Sequence, residues 1–223
     1  MFYFIAGPIG NLKDVTLRSL EVIKQCDYLL CEDTRQSAKI LSHYNINKKL
    51  VSFNQYSGHK IETILEDLRQ GKTIGLLSDA GTTGLCDPGG LLAQSILHSG
   101  LELSCLPGPS ALTALICVAP FPCSEFTFIG YFPKKKGRNK MVEEFKKSKK
   151  PVFFFESPHR IHSTLALLKK EMPDRCILIG RELTKKFEQI IYKEISQIEE
   201  EELIAKGEFV LAIAPCQENK NIG

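Results

Sequence analysis

The sequence predicts an α/β protein of two α/β domains, with a mostly parallel sheet in the amino-terminal domain and a mixed sheet in the carboxyl-terminal one. In the first half of the chain, short apolar runs alternate with stretches whose apolar residues recur at helical spacing, which is typical of βαβ units. Beyond residue 121, strand-like runs follow one another closely, which favours antiparallel pairing. We therefore predict domains at 1–121 and 122–215, followed by a tail at 216–223.

The first domain is expected to contain five strands separated by helices. The strands are expected at Phe2–Ala6, Asp27–Cys31, Leu50–Phe53, Thr73–Leu77 and Leu101–Leu106. The helix after the first strand has as its apolar positions Leu17, Leu20 and Ile23. The helix after the third strand has apolar residues at i, i+3, i+4 and i+7, namely Ile61, Ile64, Leu65 and Leu68. This alternation is the reason for predicting parallel pairing.

The second domain is expected to contain five more strands and fewer helices. The strand candidates are "SEFTFIGYF", "PVFFFE", "CILIGREL", "FEQIIYKEI" and "GEFVLAIAP". A helix follows the second of these, with Ile161, Leu165 and Leu168 on one face. The lysine-rich stretch "KKKGRNKMVEEFKKSKK" is expected to interrupt the fold between the first two strands.

Composition restricts the class of protein. Apolar residues make up 43% and charged residues 25%, which are ordinary values for a globular protein, and we expect no membrane span because no apolar run approaches about 18 residues. The start, "MFYFIAGPIGN", is typical of a strand and not of a signal peptide. The eight cysteines are scattered without a C-x-x-C pair, so we expect no metal site and a cytoplasmic protein.

Three of the expected strand ends carry glycine or proline turns. These loops are "AGPIGN" (6–11), "SDAGTTGLCDPGG" (78–90) and "LPGPSAL" (106–112). The carboxyl ends of parallel strands lie along one edge of a sheet, so the loops can converge on one crevice. Plain tight turns are the alternative explanation. Ser110 is placed to cap a helix that begins with "ALTAL".

The charge of the second loop indicates what it would bind. The chain contains neither a P-loop nor a G-x-G-x-x-G string, and the loop has no lysine or arginine. Asp79 and Asp87 would repel phosphate oxygens by about 1 to 4 kcal/mol per pair at 4 Å. Carboxylates suit ribose hydroxyls or a cation, and S-adenosylmethionine offers both. Charge alone does not separate it from other nucleosides.

Six ordered motifs support a more specific hypothesis. They are "GPIGNLKDVTLRSLEVIKQCDYLLCEDTR", "SDAGTTGLCDPG", "LPGPSALTAL", "GYFPKKKGR", "FFESPHR" and "GRELTKKFE". With them the chain resembles the ribosomal RNA small-subunit methyltransferase I family of the tetrapyrrole-methylase superfamily. That family has two α/β domains with S-adenosylmethionine in the cleft between them, and it methylates the ribose 2′-oxygen of a cytidine in the decoding centre. The resemblance implies an enzyme acting on small-subunit rRNA or the assembled subunit, and we also expect a homodimer.

The resemblance also implies cofactor-binding residues. They are Pro8, Ser78, Asp79, Ala80, Gly81, Ser110 and Ala111 in the first domain, and Phe154, Phe155 and Leu183 in the second. Two positions depart from the family pattern. Thr83 stands where a proline is usual, which we expect to loosen a turn, and "FNQYSGHK" replaces the usual H-x-x-N.

Two residues are candidates for catalysis, and no metal is required. Asp33, after the second strand, could orient or deprotonate a ribose hydroxyl, or it could cap the helix that begins at Arg35. Lys185 is the other candidate base, and the sequence does not decide between them. A base typically adds about 10²- to 10⁴-fold in rate.

Basic residues are concentrated in one segment, between Lys134 and Lys150. It holds nine basic and two acidic residues, a net charge of +7, so the rest of a chain whose total is +3 has −4. RNA contacts are expected at Arg35, Lys134, Lys135, Lys136, Arg138, Arg160 and Arg181. Tyr131 and Phe132 could stack on an unpaired base. The alternatives are a flexible lysine-rich connector, and inter-domain salt bridges for Arg160 and Arg181.

Two other classes of function stay open. A small-molecule tetrapyrrole methyltransferase would share the fold and cofactor, although its first loop would be expected to read G-P-G-D-P where this chain has "GPIGN". A non-catalytic protein that binds nucleosides or rRNA is the second alternative.

Overall fold

The computed structural model describes residues 1–54, 57–86 and 89–216. The chain divides into two compact units between Ser110 and Ala111. The sequence placed the domain boundary later, at residue 121. The difference is one helix, Ala111–Cys117, which packs against the last strand of the second unit.

The first unit is built on a five-stranded sheet. Its strands are β1 (Phe2–Ile5), β2 (Tyr28–Cys31), β3 (Lys49–Ser52), β4 (Ile74–Leu77) and β5 (Leu103–Leu106). The order is β3-β2-β4-β1-β5, and every neighbouring pair is parallel. The central strand β4 is buried along its whole length, which explains its continuous apolar sequence.

Within the described residues, four α-helices accompany this sheet. They are α1 (Leu17–Gln25), α2 (Thr34–His43), α3 (Ile61–Arg69) and α4 (Gly90–His98). In α3 the predicted face is confirmed, because Ile64, Leu65 and Leu68 are buried. In α1, however, Leu17 is 78% exposed as the first residue of the helix. Alternation along the strands divides the apolar residues into two clusters, since neighbouring strand residues point to opposite faces.

The second unit holds a five-stranded mixed sheet. Its elements are α5 (Ala111–Cys117), β6 (Thr127–Tyr131), α6 (Arg138–Lys147), β7 (Val152–Glu156), α7 (Ile161–Glu171), β8 (Cys176–Arg181), β9 (Gln189–Glu194) and β10 (Phe209–Ile213). The order is β6-β7-β10-β8-β9. The pair β6 and β7 is parallel, and the other three pairs are antiparallel. The predicted fold class, one parallel and one mixed α/β sheet, is confirmed.

The lysine-rich segment was expected to interrupt the fold, and for most of its length that expectation is wrong. Residues Arg138–Lys147 form α6. Val142 and Phe145 are each 1% exposed, and the Phe145 ring stacks on Phe154 with its centroid 5.6 Å away. The segment is an amphipathic helix, in which three apolar residues lie on one face, and its many charged residues obscure this pattern in the sequence.

None of the helices in the described parts of the chain is long and apolar enough to cross a membrane.

Candidate active site

The loops after β1 and β4 are joined at the carboxyl edge of the first sheet. Gly7 and Gly81 each donate a backbone N–H to the other's carbonyl oxygen, at 3.0 Å in both directions. A Cβ atom on Gly7 would overlap the carbonyl oxygen of Ser78, and Gly81 has a φ of +76°. Both positions therefore need glycine, for close approach in the first case and for a left-handed backbone in the second.

Two threonine hydroxyls extend this junction. The Thr82 Oγ1 donates to the carbonyl oxygen of Pro109 at 3.2 Å, which connects the β4 loop to the loop after β5. The Thr83 Oγ1 donates to the carbonyl oxygen of Ile5, in β1, at 2.9 Å. The hydroxyl thus adds a bond that proline cannot make, and the expectation that threonine loosens this turn to a tolerable degree stays a prediction.

The Asp79 carboxylate contacts the second residue after β2. The backbone N–H of Asp33 donates to Asp79 Oδ2 at 3.0 Å and lies 3.3 Å from its Oδ1. The register explains the contact: Cys31 pairs with Leu77, so the residues two beyond these strand ends meet. A carboxylate can accept about four hydrogen bonds, so this contact is compatible with a ligand on the same group. The other loop carboxylate, Asp87, lies outside the described residues, as do Gln55 and Tyr56 of the segment that replaces H-x-x-N.

Asp33 caps α2, as one of its two interpretations predicted. Its Oδ1 accepts from the Arg35 backbone N–H at 2.9 Å, and its Oδ2 accepts from Arg35 Nη2 at 2.7 Å. The hydrogen bond from the Arg35 side chain, followed by that from its backbone, lowers the pKa of Asp33 from 3.8 to about 2. A carboxylate with so low a pKa is a weak proton acceptor at neutral pH. A role in orienting a ribose hydroxyl stays a prediction.

The candidate cofactor residues of the first unit differ in exposure. Pro8, Ser78, Gly81 and Ser110 are buried, and Ala80 is exposed. The Ser78 hydroxyl donates to the carbonyl oxygen of Ala80 at 3.1 Å, which fixes the tight turn after β4. These residues therefore offer a ligand mainly backbone groups, with Asp79 as the charged side chain beside them.

The candidate cofactor residues of the second unit are Ala111, Phe154, Phe155 and Leu183, and most of their side chains pack within the unit. Ala111 is half-buried. The Phe154 side chain is completely buried and packs against the rings of Phe132 and Phe145. Phe155 points to the other face of β7 and is half-buried, and Leu183 is 7% exposed. A ligand could reach Phe155 more directly than Phe154, whose ring belongs to the core.

Lys185 lies in a strained loop after β8. Its Nζ donates to Glu182 Oε1 at 2.7 Å and to Glu208 Oε2 at 2.9 Å. Partial burial alone would lower the pKa of Lys185, but the hydrogen bonds to the two carboxylates outweigh it and raise that pKa above 10.5. Glu182 and Thr184 have φ values of +51° and +66°, which cost about 1 to 3 kcal/mol each and are typical of functional loops. Lys185 is therefore a cation at neutral pH, and a cation cannot accept a proton.

Two of the arginines expected to bind RNA are used inside the second unit. Arg181 is 8% exposed, and its Nε donates to the carbonyl oxygen of Lys206 at 2.9 Å. Arg160 pairs with the completely buried Glu156 at 2.6 Å and donates to the carbonyl oxygen of Phe132 at 3.0 Å. All of these partners lie within the second unit, and contact of either arginine with RNA phosphates stays a prediction. Sequence alone could not distinguish a buried arginine from an exposed one.

The other basic candidates lie closer to solvent. Lys134, Lys135 and Lys136 are exposed. Arg138 is half-buried, with its guanidinium 5.1 Å from the centre of the Phe132 ring and Nη2 3.2 Å from Thr164 Oγ1. Arg35 is 86% exposed but paired with Asp33. The three lysines are thus exposed to solvent, whereas Arg138 packs against the fold and Arg35 is held in an ion pair. In residues 1–54, 57–86 and 89–216, no three His, Cys, Asp or Glu side chains are grouped to hold a metal ion.

Comparison with known proteins agrees with these features. The family model described as Tetrapyrrole (Corrin/Porphyrin) Methylases matches residues 1–199. The protein is 39% identical over 194 residues to the Ribosomal RNA small subunit methyltransferase I of Thermotoga maritima, covering 86% of this chain and 87% of the relative. It is 37% identical over 227 residues to the protein of that name from Neisseria meningitidis serogroup B, covering 99% and 78%.

Solved structures share the fold at low identity. A diphthine synthase superposes with a TM-score of 0.75 at 13% identity, covering 96% of this chain and 89% of the other. The methyltransferase CobJ superposes with a TM-score of 0.69 at 18% identity, covering 96% and 94%. These two likenesses concern the fold alone. The sequence similarity goes further, and the chain belongs to the ribosomal RNA small subunit methyltransferase I family of tetrapyrrole methylases.

Proposed function

We propose that the protein is an S-adenosylmethionine-dependent methyltransferase that modifies the ribose 2′-oxygen of a cytidine in the decoding centre of small-subunit rRNA. The observation that carries the proposal is the similarity, at 33–39% identity over most of the chain, to proteins named Ribosomal RNA small subunit methyltransferase I. We further propose that it works in the cytoplasm, where small subunits are found, and that it is a homodimer.

The chemistry of the loops fits this cofactor. Asp79 supplies a negative charge, and loop 78–90 has no lysine or arginine, which suits a ligand with a cationic centre and ribose hydroxyls better than a phosphate. The glycines Gly7 and Gly81 bring the backbones of the two loops into direct contact beside Asp79. When bound, S-adenosylmethionine supplies a methyl group that a sulfonium already activates. Asp79, Ser78 and Gly81 are the residues we propose to hold it.

Positioning is the contribution we propose for this chain's own residues. Asp33 holds its proton too weakly, and Lys185 too tightly, for either to serve as a base at neutral pH. The proton of the acceptor hydroxyl is then released to water. Correct placement of reacting groups can supply roughly 7 to 11 kcal/mol of a barrier, so a dedicated base is not required. We propose that the negative charge of Asp33 orients the hydroxyl.

The proposal is tested by methyl transfer to small ribosomal subunits. Subunits purified from cells that lack this gene are incubated with the protein and methyl-labelled S-adenosylmethionine, and the rRNA is digested to nucleosides for mass spectrometry. We expect one 2′-O-methylcytidine per subunit with the wild-type protein and a much smaller yield with Asp79→Asn. Labelled base in place of labelled ribose would contradict the proposed site. Transfer to a tetrapyrrole but not to RNA would support the small-molecule alternative.

A further inference from the structure

The second unit contains a pocket of about 630 Å³ where the parallel strands β6 and β7 end. We call it the β6–β7 pocket. Its wall includes Tyr131, Pro133, Lys134, Ser157, His159 and Arg160, which come from the loops "YFPK" and "SPHR". Ligand pockets commonly measure roughly 300 to 1,000 Å³, so this one can hold a nucleotide-sized molecule.

One side of the pocket presents an exposed aromatic ring. Tyr131 is 60% exposed, and its ring is supported by an edge contact with Phe155 at 5.5 Å between centroids. A supported but accessible ring is a suitable platform for a planar base, since stacking needs one open face. The aromatic platform therefore favours a ligand with a flat heterocycle.

A buried carboxylate holds together the two loops that line the pocket. Glu156 accepts hydrogen bonds from the Ser157 backbone N–H at 2.7 Å and from Thr164 Oγ1 at 2.6 Å, and it pairs with Arg160. Arg160 in turn donates to the carbonyl oxygen of Phe132, so one ion pair holds both loops. This network joins the two loops before any ligand binds, although the buried Arg160 Nε has no hydrogen-bond partner among the described residues.

The ion pair also decides the charge of the pocket. The charges of Glu156 and Arg160 neutralise each other. Among the described residues that line the pocket, Lys134 therefore determines the net charge, which is positive. Lys135 and Lys136 continue from it along the exposed chain. An anion attached to a flat ring is the ligand that this combination fits, and the row of lysines suits a chain of phosphates better than one isolated anion.

We propose that the β6–β7 pocket binds one unpaired nucleotide of the RNA substrate, with its base stacked on Tyr131 and its phosphate beside Lys134 and His159. The inference rests on the proposed function in taking RNA as the substrate. The inference adds a binding place for a single unstacked base. This place lies in the second unit, whereas Asp79 lies in the first.

A fluorescent reporter can test this directly, because the chain contains no tryptophan. Tyr131→Trp places a single indole on the pocket wall, and Phe187→Trp places one at a residue that is 66% exposed and outside the pocket. On titration with a short single-stranded RNA, we expect quenching of the Tyr131→Trp reporter and no change in the Phe187→Trp control. Adding Lys134→Gln to the reporter should weaken binding severalfold. In the otherwise wild-type protein, Tyr131→Ala should weaken RNA binding by about five- to 150-fold.

Several outcomes would overturn the inference. They are equal quenching of both reporters, no quenching by RNA, and equal affinity for an oligonucleotide without bases. Quenching by S-adenosylmethionine in the absence of RNA would reassign the pocket to the cofactor. The proposed function is scored separately: methylation of subunits by the wild-type protein together with a silent reporter rejects only the pocket. If the Tyr131→Trp reporter responds to RNA but the wild-type protein does not methylate subunits, the proposed enzyme activity is rejected and the proposed RNA-binding pocket is supported.

Discussion

At the scale of single residues, two aspartates 46 positions apart acquire different properties from their neighbours. Asp33 is held by Arg35 and has its pKa lowered to about 2, whereas Asp79 accepts the backbone N–H of Asp33. The sequence could predict that Asp33 caps a helix, since that depends on adjacent residues. It could not predict the contact with Asp79, which depends on β2 lying beside β4 in the sheet.

The first prediction concerns the charge of Asp79. Asp79→Asn keeps an oxygen that can accept the Asp33 N–H but removes the negative charge, so we expect the affinity for S-adenosylmethionine to fall by at least tenfold, about 1.4 kcal/mol. Isothermal titration calorimetry measures it. The matched control is Asp27→Asn, since Asp27 also accepts a backbone N–H, from Thr73, but at the amino ends of the strands. Equal affinity in wild type and Asp79→Asn would remove Asp79 from the cofactor site.

The second prediction concerns the ion pair at the start of α2. In Arg35→Gln, we expect the pKa of Asp33 to return from about 2 towards 3.8, because the largest cause of its depression is lost. A depressed carboxyl pKa stabilises the fold above pH about 4, and that stabilisation disappears as the pH falls through about 2. The variant should therefore lose less stability over this range. Carbon-13 NMR titration of the Asp33 carboxyl measures the pKa directly.

The control for this experiment is on the same helix. Lys39→Gln removes a cation that hydrogen-bonds Gln36 and not Asp33, so the pKa of Asp33 should stay unchanged. If Arg35→Gln also leaves it unchanged, the helix start and not the guanidinium lowers the pKa.

At the scale of elements, the sequence predicted each of the ten strands found in the described residues but misjudged one helix. Strands were predictable because each is a compact apolar run between turn residues. The helix α6 was missed because charged residues dominate its composition, and the buried faces of Val142 and Phe145 become evident only when β7 supplies Phe154 as a packing partner. The junction of loops was predictable in outline from parallel pairing, but its threonine bonds were not.

The third prediction tests the junction between the loops of β1 and β4. In Gly7→Ala, the added methyl group would overlap the Ser78 carbonyl oxygen, so one loop must move and the paired bonds between Gly7 and Gly81 are strained or lost. We expect a loss of about 1 to 3 kcal/mol in the free energy of unfolding, measured by urea denaturation, and weaker cofactor binding. Gly58→Ala is the control, because a methyl group there would meet none of the described atoms within 4 Å. Wild-type stability in Gly7→Ala would show that the loops can separate at no cost.

At the scale of the whole molecule, charge is distributed unevenly along the chain. The segment Lys134–Lys150 carries a net charge of +7, and the rest has −4. The structure divides that segment in two. Within and after α6, several cations have carboxylate partners, such as Lys146 with Glu143 and Glu171 and Lys150 with Glu125. Before α6, Lys134, Lys135 and Lys136 are exposed. The sequence could predict the amount of positive charge but not which cations are paired within the fold.

The last prediction follows from this division. Replacing Lys134, Lys135 and Lys136 with glutamine should abolish methylation of small subunits and leave S-adenosylmethionine binding intact, because these lysines lie outside the loops proposed for the cofactor. The slope of RNA affinity against salt concentration should fall by roughly 0.7 to 0.9 for each phosphate contact removed. The matched control replaces three other exposed lysines of the second unit, Lys147, Lys170 and Lys206, and loses the same charge. If both triple variants lose RNA affinity equally, net charge alone attracts the RNA. If the first triple variant methylates subunits at the wild-type rate across a salt titration, the RNA must bind elsewhere.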